Sequence, residues 1–259
     1  MSIDRRDFLK KLGLGSMVSL GGFGFLKKMG GPEEAIASGA TLETADPNKV
    51  RWGMVIEMGK CQEGCTDCIS VCHLTHNVPD HGNKKDEIKW IWKTGYKHLF
   101  TNEAHQYAQD GLPDKPFLTL CNHCDNPPCT RVCPTEATFA RPDGIVQMDF
   151  HRCIGCRFCM AGCPYGSRSF NWRDPRPNLK EINPNFPTRE RGVVEKCNFC
   201  TERIDKGERP ACVEACKEGV LTFGNLNDPN SEIRQLLAEK RTNQRKPELG
   251  TKPSVFYIV

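Results

Sequence analysis

The sequence predicts an α+β fold: short strands and one-turn helices wrapped around cysteine-ligated metal centres, with long loop insertions between them. Three observations carry this. The 16 cysteines of the 259-residue chain fall into four groups of four. Two of those groups end in Cys-Pro, and short apolar stretches flank the groups where long amphipathic periods would otherwise be expected. Cysteine at about 6% is below the density of small disulfide scaffolds, and a chain this long builds a core without covalent staples.

The central groups are the most specific. Cys121, Cys124, Cys129 and Cys133 precede Pro134, and Cys153, Cys156, Cys159 and Cys163 precede Pro164. The second spacing, Cys-x2-Cys-x2-Cys-x3-Cys-Pro, is the bacterial ferredoxin run. In it three close thiolates wrap one [4Fe–4S] cube and the fourth cysteine ligates the other cluster. Cys163 then closes the first site and Cys133 the second. The chemistry so defined is one-electron transfer.

Along the chain, residues 1–37 read as an export signal. Arg5-Arg6-Asp7-Phe8-Leu9-Lys10 is similar to the twin-arginine motif, an apolar glycine-rich run from Leu12 to Leu26 is short for a bilayer span, and Ala35-Ile36-Ala37 offers a small-residue cleavage site. Val50 to Glu57 reads as a strand leading into the first tetrad: Cys61, Cys65, Cys68 and Cys72, in which Gly64 absorbs one extra residue as a tight turn. Residues 76–116 read as a polar, loop-like insertion. Its Trp90, Trp92 and Tyr96 suit loop packing or a partner contact, and His73, His76, His81, His98 and His105 read as surface or loop histidines. No Cys-x2-Cys-His haem site occurs.

Between the central tetrads, Ala137-Thr138-Phe139 and Ile145–Asp149 flank Asp143-Gly144, a hairpin signal. Arg152, Arg157 and Arg168 lie near these tetrads. They either raise local potential by charge or bind carbonyls and acidic groups. Asn171 to Arg191 reads as a linker or surface arm. Val193-Val194 introduces the fourth tetrad, Cys197, Cys200, Cys212 and Cys216, and Gly219 to Gly224 supplies its closing strand. In the C-terminal extension, 226–259, a short helix spans Ser231 to Lys240, and Ser254 to Val259 reads as a strand docking on the body or on a partner.

Lys and Arg number 36 against 32 Asp and Glu. Without the segment before Ser38 the balance is 30 against 28. Each oxidised cube with four thiolates adds roughly −2, so the holoprotein is acidic, which argues against a basic nucleic-acid surface. The chain shows no nucleophile–base pair, phosphate-binding loop or open metal site, so substrate turnover belongs to a partner. Four-cysteine zinc sites are the rival chemistry. The Cys-Pro ends, the close runs of four and the export signal argue against them.

The four tetrads in this order resemble the iron–sulfur subunits of the dimethyl sulfoxide, polysulfide and tetrathionate reductases, over roughly residues 50–225. That resemblance implies two nested ferredoxin-like modules: an outer one from 50–75 and 192–225, and an inner one from 117–175. It implies four [4Fe–4S] clusters, held by Cys61, Cys65, Cys68 and Cys216; by Cys197, Cys200, Cys212 and Cys72; by Cys121, Cys124, Cys129 and Cys163; and by Cys153, Cys156, Cys159 and Cys133. Arg51-Trp52-Gly53-Met54-Val55-Ile56, Cys61-Gln62-Glu63-Gly64-Cys65, the run Cys72 to Pro79 and the closing Gly250 to Val255 are similar to the DsrO family. These are the exported subunits of the DsrMKJOP (Hme) complexes of sulfur-compound dissimilation. Implied partners are a quinone-interacting integral membrane protein, a periplasmic multihaem cytochrome c and a cytoplasmic heterodisulfide-reductase-like arm. The implied location is the periplasm or outer face of the cytoplasmic membrane, with membrane association through partners. The alternative within this class is the iron–sulfur subunit of a molybdopterin-dependent reductase.

Overall fold

The computed structural model describes residues 49–258, except 104, 106, 108 and 109; the export-signal segment 1–37 lies outside the described residues. In chain order the first half holds β1 (Trp52–Ile56), α1 (Asp67–Thr75), β2 (Ile91–Gly95), α2 (Tyr96–Leu99), β3 (Pro116–Leu120), α3 (Pro128–Arg131), β4 (Thr138–Ala140) and β5 (Val146–Met148). The second half holds α4 (Phe158–Ala161), β6 (Ser169–Phe170), β7 (Val194–Glu195), α5 (Thr201–Ile204), α6 (Ala211–Glu214), β8 (Leu221–Asn225), α7 (Glu232–Glu239), β9 (Thr242–Asn243) and β10 (Val255–Ile258).

A four-stranded sheet, in the order β8-β1-β10-β9, ties the two ends of the described chain together. β1 lies in it antiparallel to β8, with Met54 opposite Phe223, and parallel to β10, with Met54 opposite Val255. Because strand side chains alternate between faces, Met54 and Ile56 enter the main core. Val55 turns the other way, onto Leu226 and Ile233. Ile233 is the residue by which α7 docks, so the expected helix over Ser231–Lys240 is present as Glu232–Glu239. The terminal strand docks on the body, beside β1.

The expected hairpin at Asp143–Gly144 is present as β4 paired with β5, and β6 pairs with β7, joining the chain just after the third tetrad to the chain just before the fourth. Two expectations are corrected. The insertion 76–116 is not a polar loop. β2 pairs with β3, with Ile91 opposite Leu120, and Ile88, Trp90, Ile91, Leu99 and Phe100 are buried in the main core. The apolar run Ile88-Lys89-Trp90-Ile91-Trp92 carries the signal, and pairing with β3 brings Ile88, Trp90 and Ile91 into the core.

The stretch Asn171–Arg191 is likewise more than a surface arm. Asn171, Phe186 and Arg189 are buried. Arg189 donates to the carbonyls of His76, Asn77 and Pro187, while Asn77 Nδ2 reaches the carbonyl of Phe186 at 2.6 Å. Polar side chains binding backbone groups hold this irregular segment down without regular structure. Among the described residues no helix is long and apolar enough to cross a membrane.

Candidate metal centres

Each tetrad puts its third cysteine at the second residue of a helix: Cys68 in α1, Cys129 in α3, Cys159 in α4 and Cys212 in α6. The residue before each second cysteine also has left-handed backbone: Gly64 at φ +77°, His123 at +41°, Gly155 at +71° and Phe199 at +57°. Glycine takes this conformation freely, so Gly64 makes the turn expected of it. His123 and Phe199 take it at a steric cost of order 1–3 kcal/mol and stack on one another, with centroids 3.7 Å apart and planes at 18°. The repeat is therefore geometric, although the helix-starting residues differ at every tetrad.

The four helices pack first with last and second with third: α1 lies against α6, and α3 against α4. The thiols follow. Cys61, Cys65, Cys68 and Cys216 line one cavity of about 230 Å3. Burial, then the thiols of Cys216, Cys61 and Cys65, push Cys68 up to about 11. Cys121, Cys124, Cys129 and Cys163 line a second, smaller cavity. There burial and Cys121, with smaller contributions from Cys129 and Cys163 and against a hydrogen bond from Thr251, push Cys124 up to about 12. Cys72 is raised well above its ordinary value by burial, then by Cys197, Cys212 and Cys200. Cys159 is raised by burial and by Cys153, against the opposing charge of Arg168. Cys133 is the exception: burial lifts it, but hydrogen bonds from Thr138, Thr135 and Ala137 outweigh burial and leave it below its usual value.

All sixteen cysteines are free thiols. Thiols grouped this closely repel as anions, and ionise together only around a cation. Closely spaced sulfurs at the starts of short helices fit iron–sulfur ligation, and backbone N–H groups already point at sulfur: Phe199 N lies 3.4 Å from Cys197 Sγ and Val220 N 3.3 Å from Cys216 Sγ. Such bonds tune potential.

The structure also separates the three arginines. Arg168 is buried; burial lowers its affinity for a proton, but the thiols of Cys129, Cys159 and Cys121 raise it further, to a net increase. Arg152 stays at the surface 3.6 Å from Asp149. Arg157 stacks over Trp172 at 4.7 Å and Phe170 at 5.3 Å.

His76 corrects the surface reading of the histidines. It is 1% exposed, stacked on Trp90 at 4.5 Å, with Nδ1 3.0 Å from the Cys72 carbonyl and 3.6 Å from Cys72 Sγ. Its Nε2 lies 2.8 Å from Glu202 Oε1. His76, Cys200 and Glu202 group closely enough for a metal ion, but Cys200 is a tetrad thiol, so the histidine belongs to the surroundings of that site. Sequence reasoning also missed Lys196 and Thr251. A lysine directly before a cysteine run was the available signal for the first; nothing marks the second, which comes from the C-terminal extension.

Fold and sites together define an iron–sulfur protein that binds [4Fe–4S] clusters and carries electrons. The 4Fe–4S dicluster domain family matches residues 116–177 and 183–226. Iron–sulfur subunit 1 of the Hdr-like menaquinol oxidoreductase of Archaeoglobus fulgidus is 45% identical over 233 residues, covering 81% of this chain and 83% of that protein. The iron–sulfur subunit of a putative dimethyl sulfoxide reductase of Halobacterium salinarum is 39% identical, covering 80% and 78%. The iron–sulfur cluster-binding subunit of menaquinone reductase of Nitratidesulfovibrio vulgaris is 36% identical, covering 81% and 89%. The chain belongs to this family of iron–sulfur subunits of reductases and quinol oxidoreductases.

Proposed function

We propose that this chain is an exported, DsrO-type electron-transfer subunit that relays single electrons through four [4Fe–4S] clusters in a membrane-associated respiratory complex of sulfur-compound metabolism. The observation that carries the reading is the paired packing of the tetrad helices, α1 on α6 and α3 on α4. It supports two nested modules that exchange their fourth ligands. On this reading Cys216 completes the site of Cys61, Cys65 and Cys68, and Cys72 that of Cys197, Cys200 and Cys212. Cys163 completes the site of Cys121, Cys124 and Cys129, and Cys133 that of Cys153, Cys156 and Cys159.

The bound clusters supply one-electron redox chemistry; the protein holds them apart and sets their potentials through burial, charge and hydrogen bonds to sulfur. Similarity to the menaquinol oxidoreductase and menaquinone reductase subunits supports a quinone-interacting membrane partner. A periplasmic multihaem cytochrome c completes the path on this reading. Arg5-Arg6 supports export by the twin-arginine route, which carries folded, cofactor-loaded proteins.

The test is iron and acid-labile sulfide per chain on anaerobically purified protein, with the complex isolated through a tag on this chain. Near 16 iron, as four cubes require, with copurifying haem supports the relay. Zinc without sulfide overturns it. The similarity to a dimethyl sulfoxide reductase component supports a second reading, the iron–sulfur subunit of a molybdopterin enzyme. Molybdenum in the isolated complex, in place of haem, selects it. Export is tested by Arg5→Lys with Arg6→Lys, which should leave the protein in the cytoplasmic fraction; unchanged periplasmic recovery refutes that route.

A further inference from the structure

Three cations are buried around the cavity lined by Cys121, Cys124, Cys129 and Cys163, and none has a carboxylate partner among the described residues. Arg168 is 5% exposed, Lys196 1% and Arg245 5%. Every other fully buried charge of the described chain is paired: Arg189, for instance, meets Glu195 at 2.5 Å. Arg168 lines the cavity itself and donates to Thr138 Oγ1 at 2.6 Å. Lys196 Nζ donates to the carbonyl of Val146, part of the cavity wall, and to that of Cys197. Arg245 reaches the Tyr165 carbonyl at 3.3 Å and stacks over the Tyr165 ring at 5.2 Å, while its Nε and Nη1 find no hydrogen-bond partner.

A buried cation without a counter-charge is costly. Arg245 shows that cost directly, since burial lowers it and the groups that offset the loss are Tyr257, Cys163, Tyr165 and Cys121. Cys163 and Cys121 are tetrad thiols, so a thiolate-bound cluster at this cavity would supply the missing negative charge. The remaining sites are built differently. Lys196 also favours ionisation of the neighbouring Cys197, but there Glu202 opposes the ionisation of both Cys197 and Cys200. Cys61 and Cys65 are partly exposed, with the Lys93 ammonium bound to the Cys65 carbonyl at 2.6 Å. The site of Cys153 and Cys159 has Arg168 alone among the three.

We propose that Arg168, Lys196 and Arg245 make the Cys121–Cys124–Cys129–Cys163 centre the highest-potential member of the relay, the place where a single electron entering the chain rests. The physical reason is charge. One electron added to a thiolate-bound cube adds one negative charge, and net charge and burial are among the determinants of its potential. Three fixed positive charges in a low-dielectric interior favour that extra charge. The three residues are positioning residues, since they act on the potential through the cluster's surroundings. The inference rests on the ligand sets proposed above.

The experiment is an anaerobic redox titration of the purified, cluster-loaded chain, poised with dithionite and followed by electron paramagnetic resonance. Cys124→Ser first identifies which signal belongs to this centre; if no single signal changes, the ligand sets fail, and the charge argument fails with them. If one signal changes, the potentials then test the charge argument alone. The expected result is that this signal has the highest midpoint of the chain. Arg245→Met should lower its reduced-to-oxidised ratio at the wild-type midpoint about tenfold, equivalent to about 59 mV for one electron. Arg245→Lys should restore most of that ratio, which a purely structural role would not predict. Arg168→Met, where it folds with full iron, should lower two signals, because Arg168 acts on both Cys129 and Cys159. The proposal is overturned if another tetrad gives the highest midpoint, or if Arg245→Met with full iron leaves this one in place.

Discussion

Replacing Arg189 by methionine should destabilise the protein more than any surface charge change. Both Arg189 and Glu195 have fully buried side chains and meet at 2.5 Å. Glu195 further accepts hydrogen bonds from Trp90 Nε1 at 2.9 Å and Asn171 Nδ2 at 2.5 Å. Arg189 also binds the carbonyls of His76, Asn77 and Pro187, and lies over the rings of Trp90, Phe150 and Phe186 at 5.6–5.7 Å. Methionine keeps much of the apolar contact but strands a buried carboxylate and frees three carbonyls. Breaking a buried pair from one side costs about 3–5 kcal/mol. For a domain of this size each kcal/mol moves the melting point by about 2–4 °C, so the midpoint should fall by about 6–20 °C. The assay is anaerobic thermal unfolding of the iron-loaded protein, followed by circular dichroism at a fixed scan rate. Adding Glu195→Gln to Arg189→Met should recover part of the loss, because no buried charge is then left alone. A drop below about 2 °C for the single variant, or a double variant worse than the sum of the singles, would refute the reasoning.

Other outcomes follow from the same structure. Gly155→Ala should lose iron from the Cys153 site and destabilise the chain by more than about 2 kcal/mol, because a Cβ there lies 2.4 Å from the Gly192 carbonyl oxygen at φ +71°. Gly64→Ala, at φ +77° with open space around it, should keep its iron and cost only about 1–2 kcal/mol; iron analysis and melts on the pair separate steric clash from backbone strain. Removing iron with a chelator under reducing conditions should abolish cooperative unfolding, since sixteen thiols then face one another without metal; a retained sharp transition in the iron-free chain would contradict this. Tyr257→Ala should cost about 3–5 kcal/mol, because Tyr257 is fully buried and its hydroxyl binds the Leu118 carbonyl at 3.2 Å. Denaturant midpoints unchanged by that substitution would show the terminal strand to be dispensable.

The cysteine spacing determined a great deal by itself. Three thiols separated by only two to four residues, as in the first three tetrads, demand a tight turn and a short helix around one centre, so iron–sulfur chemistry, the turn at Gly64 and the Asp143–Gly144 hairpin were legible from local constraints alone. The strands β1, β8 and β10 were legible too, as short apolar runs next to that punctuation. Only the tertiary structure decided what depends on residues far apart in sequence. His76 reads as one of several loop histidines until Trp90 and Glu202 close over it. The insertion reads as polar until β2 and β3 pair and Ile88, Trp90 and Leu99 enter the main core. Arg245 carries no local signal at all; its meaning comes from the fold of the C-terminal segment, which buries it beside Tyr165 and the Cys163 region with no carboxylate at hand. Metal ligation is written in short-range spacing because covalent reach limits it. The charge environment that sets each potential is a long-range property of packing, which no window of the sequence contains.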